Sequence, residues 1–232
     1  MKTVYRLLVF CCAVLWCPMA QAGLTFEKTL LSKTANHSDT QVSADFKFKV
    51  TGGKTITISD VATYCSCLKA KTKDGKTEFK DGEEGVIETA FSLGTFEGEV
   101  TKQVVVISDD PEQKEITLGV TVTIPPLYKV EPEHLIWTVG DEAKAKTMKF
   151  TVLGDKPIEV TGLVSSRDTM VAELKEIKKG REYEITLTPK TTEAAMLGVL
   201  RVETNAPFTR YQKRLLFFSI TRQKVDPVPA AK

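Results

Sequence analysis

Apolar and polar side chains alternate at every second position through most of the chain. Phe46-Lys47-Phe48-Lys49-Val50 sets two phenylalanines and a valine against two lysines, and Thr55-Ile56-Thr57-Ile58 repeats the pattern. A period of two puts successive side chains on opposite faces of an extended strand, so each segment predicts a strand with one buried face. Val86–Phe91, Val104–Ile107 and Ile116–Ile124 read the same way. Gly52-Gly53, Asp74-Gly75, Asp81-Gly82 and Asp109-Asp110-Pro111 supply turns between them.

The pattern restarts after Pro125-Pro126. Leu135–Val139, Met148–Val152, Ile158–Val160, Tyr183–Thr188, Val199–Val202 and Leu215–Thr221 each predict a strand. Helical periodicity is nearly absent; 169–178 fits a short helical turn, and Val171–Ile177 also fits a strand. The restart is a repeat. At an offset of 102, Phe48, Val50, Gly52, Ile56, Ile58 and Val61 fall on Phe150, Val152, Gly154, Ile158, Val160 and Leu163. At an offset of 96, Val106, Ser108, Asp109 and Pro111 fall on Val202, Thr204, Asn205 and Pro207. The difference places a shorter loop in the second copy, opposite residues 71–76. Each copy runs about 100 residues with short, turn-bounded strands, the size of an immunoglobulin-like sandwich. The chain is therefore expected to be all-β, with two tandem immunoglobulin-like β-sandwich domains at 23–125 and 126–223 and a proline-bearing disordered tail at 224–232. Pro125-Pro126 is expected to act as a short, stiff linker. Trp137, and Phe26 at a nearby place in the first copy, are expected in the core.

The start of the chain has a different character. Lys2 and Arg6 precede an apolar run, Leu7–Trp16, and Ala20-Gln21-Ala22 follows. A basic start, an apolar stretch too short to span a bilayer and an A-x-A site predict a signal peptide over 1–22, with Gly23 as the mature first residue. The protein is then periplasmic or secreted, with no stable transmembrane segment. The full chain has 32 basic and 30 acidic residues. Loss of Lys2 and Arg6 leaves a formal charge of zero, and no basic footprint for nucleic acid remains. The local basic groups 178–181 and 210–214 are expected on solvated faces.

Of five cysteines, Cys11, Cys12 and Cys17 fall in the expected leader, leaving Cys65 and Cys67 in an oxidising compartment. In an extended strand these α-carbons stand about 6.5–7 Å apart, the upper edge of disulfide geometry, so a Cys65–Cys67 bridge needs a bend. The pair reads as a local disulfide, a redox-active dithiol or a soft-metal site whose metal is unknown. The repeat carries Arg167, Asp168 and Thr169 there, so the fold does without the cysteines. His37 and His134 read as surface residues. No nucleophile elbow, zinc-protease helix or phosphate loop occurs, so no catalytic residue and no cofactor is expected. The composition suits a non-enzymatic binding or scaffolding protein whose partner is an unknown protein or envelope polymer; the alternative is a thiol redox or metal-binding module.

One combination is more specific. Ile58-Ser59-Asp60-Val61 leads to Tyr64-Cys65-Ser66-Cys67, then Asp81-Gly82-Glu83-Glu84-Gly85, Gly98, Lys102-Gln103-Val104 and Ser108-Asp109-Asp110-Pro111. This set resembles the bacterial domain-of-unknown-function family 1573, over 24–124 and more loosely over 126–222. The resemblance implies an exported immunoglobulin-like sandwich of the Hydin and major-sperm-protein type, with a Cys-Gly-Cys motif and no established activity. Ser66 stands where that motif has glycine. If the turn there needs a positive φ, serine strains it.

Overall fold

A computed structural model describes residues 23–222. The expected signal peptide and the tail lie outside the described residues. Seventeen strands form two β-sandwiches. In the first, β1 (Gly23–Phe26), β3 (Gln41–Thr51), β7 (Glu84–Ser92) and β5 (Leu68–Thr72) make one sheet, in the order β1-β3-β7-β5. Facing it are β2 (Leu30–Thr34), β9 (Glu115–Ile124), β8 (Gly98–Ser108), β4 (Ile56–Thr63) and β6 (Glu78–Phe79), in the order β2-β9-β8-β4-β6.

The second sandwich repeats this plan. One sheet orders β10 (Tyr128–Glu131), β12 (Lys146–Val152), β15 (Glu182–Pro189) and β14 (Met170–Lys178) as β10-β12-β15-β14. The other orders β11 (His134–Thr138), β17 (Lys213–Thr221), β16 (Met196–Thr204) and β13 (Val160–Ser165) as β11-β17-β16-β13. Residues 169–178 resolve into an edge strand, β14, because they pair with β15 over almost their whole length. In each copy the opening segment changes sheets: β1 and β10 run antiparallel to β3 and β12, then β2 and β11 run parallel to β9 and β17.

The two-residue period accounts for the core. Along β3, Ala44, Phe46, Phe48 and Val50 are buried and the residues between them are exposed. They meet Ile87, Phe91, Val104, Val106 and Leu118 between the sheets. The second core holds Trp137, Phe150, Ile185, Leu200 and Phe218. Trp137 is buried as expected, but on β11 against β17, whereas Phe26 is half-buried on β1. Gly198 of β16 faces the ring of Phe218, and a Cβ there would come within 2.2 Å of it.

The pairing registers divide the six-residue shortening into separate changes. Phe46 opposes Ile87 and Met148 opposes Ile185, an offset of 98 in that strand. Four residues are therefore lost before β15, where the first copy holds β6 and a short turn at Lys73–Gly75. Two more are lost between β15 and β16. Val104 opposes Leu118 and Leu200 opposes Leu216, so two residues are regained in the loop before β17.

That longer loop carries the contact between domains. Its short 3-10 turn, Thr209–Tyr211, presents Arg210, whose guanidinium donates to the carbonyls of Gly94 at 3.2 Å and Phe96 at 2.7 Å. Arg214 pairs with Glu97 at 2.8 Å, and the Tyr211 hydroxyl donates to the Pro125 carbonyl at 3.2 Å. The basic residues expected on a solvated face thus include two that tie the domains together. His37, expected at the surface, is half-buried with its ring edge-on to Tyr211 at 5.7 Å, and Arg210 stacks on the same ring at 4.7 Å. Burial raises the phenol pKa of both Tyr128 and Tyr211 above the ordinary range.

Candidate functional site

Cys65 and Cys67 sit in the turn between β4 and β5, half-buried against the first core. Their α-carbons are 5.2 Å apart and their sulfurs are bonded. The bend that shortens the extended spacing is closed by backbone hydrogen bonds. Leu68 N–H donates to the Cys65 carbonyl at 3.3 Å, and Ser92 N–H to that of Cys67 at 2.8 Å. The second copy makes both bonds without cysteine: Met170 N–H to Arg167 at 3.2 Å and Lys190 N–H to Thr169 at 2.8 Å. The turn is therefore a property of the repeat, and the bridge is added to it. Ser66 keeps a negative φ; Asp74 is the one non-glycine residue with a positive φ among the described residues. Serine in place of glycine is accommodated without strain. A shallow opening of about 410 Å³ beside the pair is lined by Tyr64, Thr101, Lys102 and Gln103, and Tyr64 is 82% exposed. Among the described residues no three histidine, cysteine or acidic side chains gather into a metal-binding group.

A second surface was not singled out by sequence. Among the described residues ten large apolar side chains are left exposed, and of these only Leu30 and Tyr64 belong to the first domain. Three of the rest, Leu197, Leu215 and Phe217, lie on the outer face of β16 and β17, with Val199 half-buried among them. Registers assign each a counterpart. Leu197 opposes Ser219 as Thr101 opposes Thr121, and Val199 opposes Phe217 as Gln103 opposes Gly119. The first domain therefore carries Thr101, Gln103, Thr117 and Gly119 where the second carries Leu197, Val199, Leu215 and Phe217. The first domain's face keeps Val105 and Leu30, which lies over Gly119, as apolar groups, and the second has Arg201 and His134 at those two places, so the fold does not require the four apolar side chains gathered on β16 and β17. The signal was present in the repeat, but it needs the strand registers to be read.

Charge surrounds the face unevenly. Arg201 is paired with Glu203 at 3.0 Å, and Arg214 with Glu97. Arg167, Arg210 and Lys213 have no carboxylate within ion-pair distance among the described residues. Arg167 is not part of the outer face: its Nε donates to the Leu197 carbonyl at 2.9 Å, but its Cγ lies 3.1 Å from where a Cβ on the inward-facing Gly198 would stand. At its domain-junction end the face dips into a cavity of about 270 Å³ between Leu215, Phe217, Lys213 and Arg210 on one side and Thr95 and Glu97 on the other.

Comparison with known proteins bears first on the first domain. Residues 24–124 match the family model described as protein of unknown function (DUF1573). The first domain is a DUF1573 domain. Its Cys-x-Cys turn, its acid-glycine hairpin and the Ser108–Pro111 turn all fall inside the match. No curated protein matches the chain in sequence. Among solved structures, a protein of unknown function from Porphyromonas gingivalis W83 is 11% identical, with 87% of this chain and 97% of that chain covered and a TM-score of 0.34. The YadV chaperone is 8% identical over 84% of this chain and 98% of that chain, with a TM-score of 0.34. The VesB protease of Vibrio cholerae is 12% identical with a TM-score of 0.38; the match takes in 43% of this chain and 31% of the protease. The DUF1573 domain and its repeat form an all-β, two-sandwich chain. No helix of the described residues is long and apolar enough to cross a membrane.

Proposed function

We propose that this chain is an exported, non-enzymatic binding or scaffolding protein whose outer β16–β17 face receives an extended segment of a partner protein. The observation that carries the reading is the substitution pattern within the repeat: four polar or small positions of one domain are Leu197, Val199, Leu215 and Phe217 in the other. Exposed apolar side chains grouped on one face mark an interaction surface. Arg210 and Lys213, cations at its border without a carboxylate partner among the described residues, give the partner's character: apolar side chains interspersed with Asp or Glu. The same cations disfavour a second copy of this face as the occupant. The domain-junction bonds support a scaffold, because they hold the two sandwiches in one relative arrangement. The N-terminal pattern supports export.

The test is capture from the envelope fraction of the producing cell. One bait is the chain 23–232; the other carries Leu197→Thr, Val199→Thr, Leu215→Thr and Phe217→Thr. The expected result is a protein partner retained by the first bait, released by raised salt and lost with the second. Equal capture by both baits, or binding instead to anionic lipid vesicles, refutes the surface. The second reading, a thiol module, is favoured by one observation: the half-buried Cys65–Cys67 pair opens beside Tyr64 on a turn that does not need it. Repeated reduction of a disulfide substrate, lost in Cys65→Ser/Cys67→Ser, would establish that reading over the first.

A further inference from the structure

Gly23 and Asp110 meet where the first domain begins. Gly23 opens β1, is buried, and has a φ of +132°. Asp110 lies in the loop between β8 and β9 and is 2% exposed. Its Oδ2 accepts the Leu24 N–H at 2.9 Å, and its Oδ1 accepts the Glu112 N–H at 3.0 Å. No Lys, Arg or His side chain of the described residues is in ion-pair distance of it. A Cβ at Gly23 would fall 2.1 Å from Oδ2, so only glycine fits. The Gly23 nitrogen is about 2.5 Å from that Cβ position by bond geometry, and so within about 4.6 Å of the carboxylate. A buried carboxylate that lacks a cation is costly.

The repeat supplies the comparison. Asp109 Oδ1 accepts the Thr57 N–H at 2.7 Å, and Asn205 Oδ1 accepts the Glu159 N–H at 2.8 Å, so these loops are equivalent. One residue further, the first domain has Asp110 and the second has Ala206, 1% exposed. Leu24 opposes Val50 as Tyr128 opposes Val152, which places Leu127 at the position of Gly23. Leu127 continues from the covalent linker Pro125-Pro126 and cannot carry a free amine. The carboxylate is thus present in the domain whose first strand starts at the expected cleavage point, and absent in the domain entered from a linker.

We infer that Asp110 is the built counter-ion of a free α-ammonium on Gly23, formed when the leader is removed after Ala22. This inference rests on the export reading above. A peptidase of the export path adds water across the Ala22–Gly23 amide. The C–N bond breaks, Ala22 leaves as a carboxylate, and the Gly23 amine takes up a proton to become an ammonium. That charge then lies beside Asp110, and removal of the leader completes the first domain.

The test is a cycle on the chain 23–232, made with a free Gly23 amine or with that amine acetylated, each with Asp110 or Asp110→Asn. Urea unfolding is followed by circular dichroism. Acetylation is expected to lower the folding constant about tenfold with Asp110, a loss the Asn background abolishes. An equal loss in both backgrounds, or none in either, overturns the inference. If Asp110→Asn does not fold, competitive labelling of the Asp110 chain decides: the native Gly23 amine should react at least tenfold more slowly than in the urea-unfolded chain, and an unchanged rate overturns the pairing. N-terminal analysis of the protein from its own cell separates the two ideas. Met1 retained in the cytosol defeats export, whereas an exported chain that starts elsewhere than Gly23 defeats only the ion pair.

Discussion

Arg210→Ala perturbs the domain junction at its best-connected point. The guanidinium makes two charge-assisted hydrogen bonds across the junction, to Gly94 and Phe96, and stacks on Tyr211. Bonds of this type contribute roughly 1.5–3 kcal/mol each when both partners stay dry. Arg210 is only half-buried, so the freed carbonyls regain water and the lower end of that range applies. The stacking adds about 0.5–1 kcal/mol. The expected loss of coupling between domains is therefore about 3.5–4 kcal/mol, with Arg214–Glu97 left in place. Trp137 is the only tryptophan after residue 22, so its fluorescence reports the second domain alone, while circular dichroism reports both. In the parent chain the two urea transitions should coincide. In Arg210→Ala they should separate, and small-angle scattering should show a broader distribution of sizes. Coincident transitions at the parent midpoint, with unchanged scattering, would refute the reasoning that this arginine holds the two sandwiches together.

Other consequences follow from single contacts. Gly198→Ala forces a methyl against the Phe218 ring at 2.2 Å and should cost roughly 1–3 kcal/mol of second-domain stability in urea unfolding. Cys65→Ser/Cys67→Ser should cost under about 1 kcal/mol, because the turn keeps the hydrogen bonds that its cysteine-free repeat also makes; a much larger loss would make the bridge a structural requirement. Burial raises the phenol pKa of Tyr128, Tyr183 and Tyr211, and Glu176 adds to it at Tyr183. Phenols raised in the folded state give stability that is complete below their unfolded pKa of about 10 and is lost as pH rises beyond it. Replacing all three with Phe should flatten the alkaline limb of a pH–stability curve.

Much of this architecture is legible in the sequence because one face of most strands is buried. The alternation Phe46-Lys47-Phe48-Lys49-Val50 has one burial solution, and the structure adopts it. Residues 169–178 fit either a helical turn or a strand, since Val171–Ile177 satisfies both periods; pairing to β15 decided between them. The domain junction was not legible. Arg210 and Arg214 look like any charged pair in sequence, and only the longer loop before β17 brings them to Gly94, Phe96 and Glu97. The outer face of β16–β17 was hidden for a related reason: Leu215 and Phe217 flank the buried Leu216 in a continuous apolar run, which does not say which face is outside. At the cysteines, the need for a bend was readable from strand geometry, whereas the hydrogen bonds that make the bend independent of them were not.

The most direct measurement of the account is hydroxyl-radical footprinting of the chain alone and with its captured partner. Oxidation of Leu197, Leu215 and Phe217 should fall several-fold in the complex, while Tyr64, beside the cysteine pair, stays as reactive as before. Protection at Tyr64, with the β16–β17 side chains still freely oxidised, would contradict it.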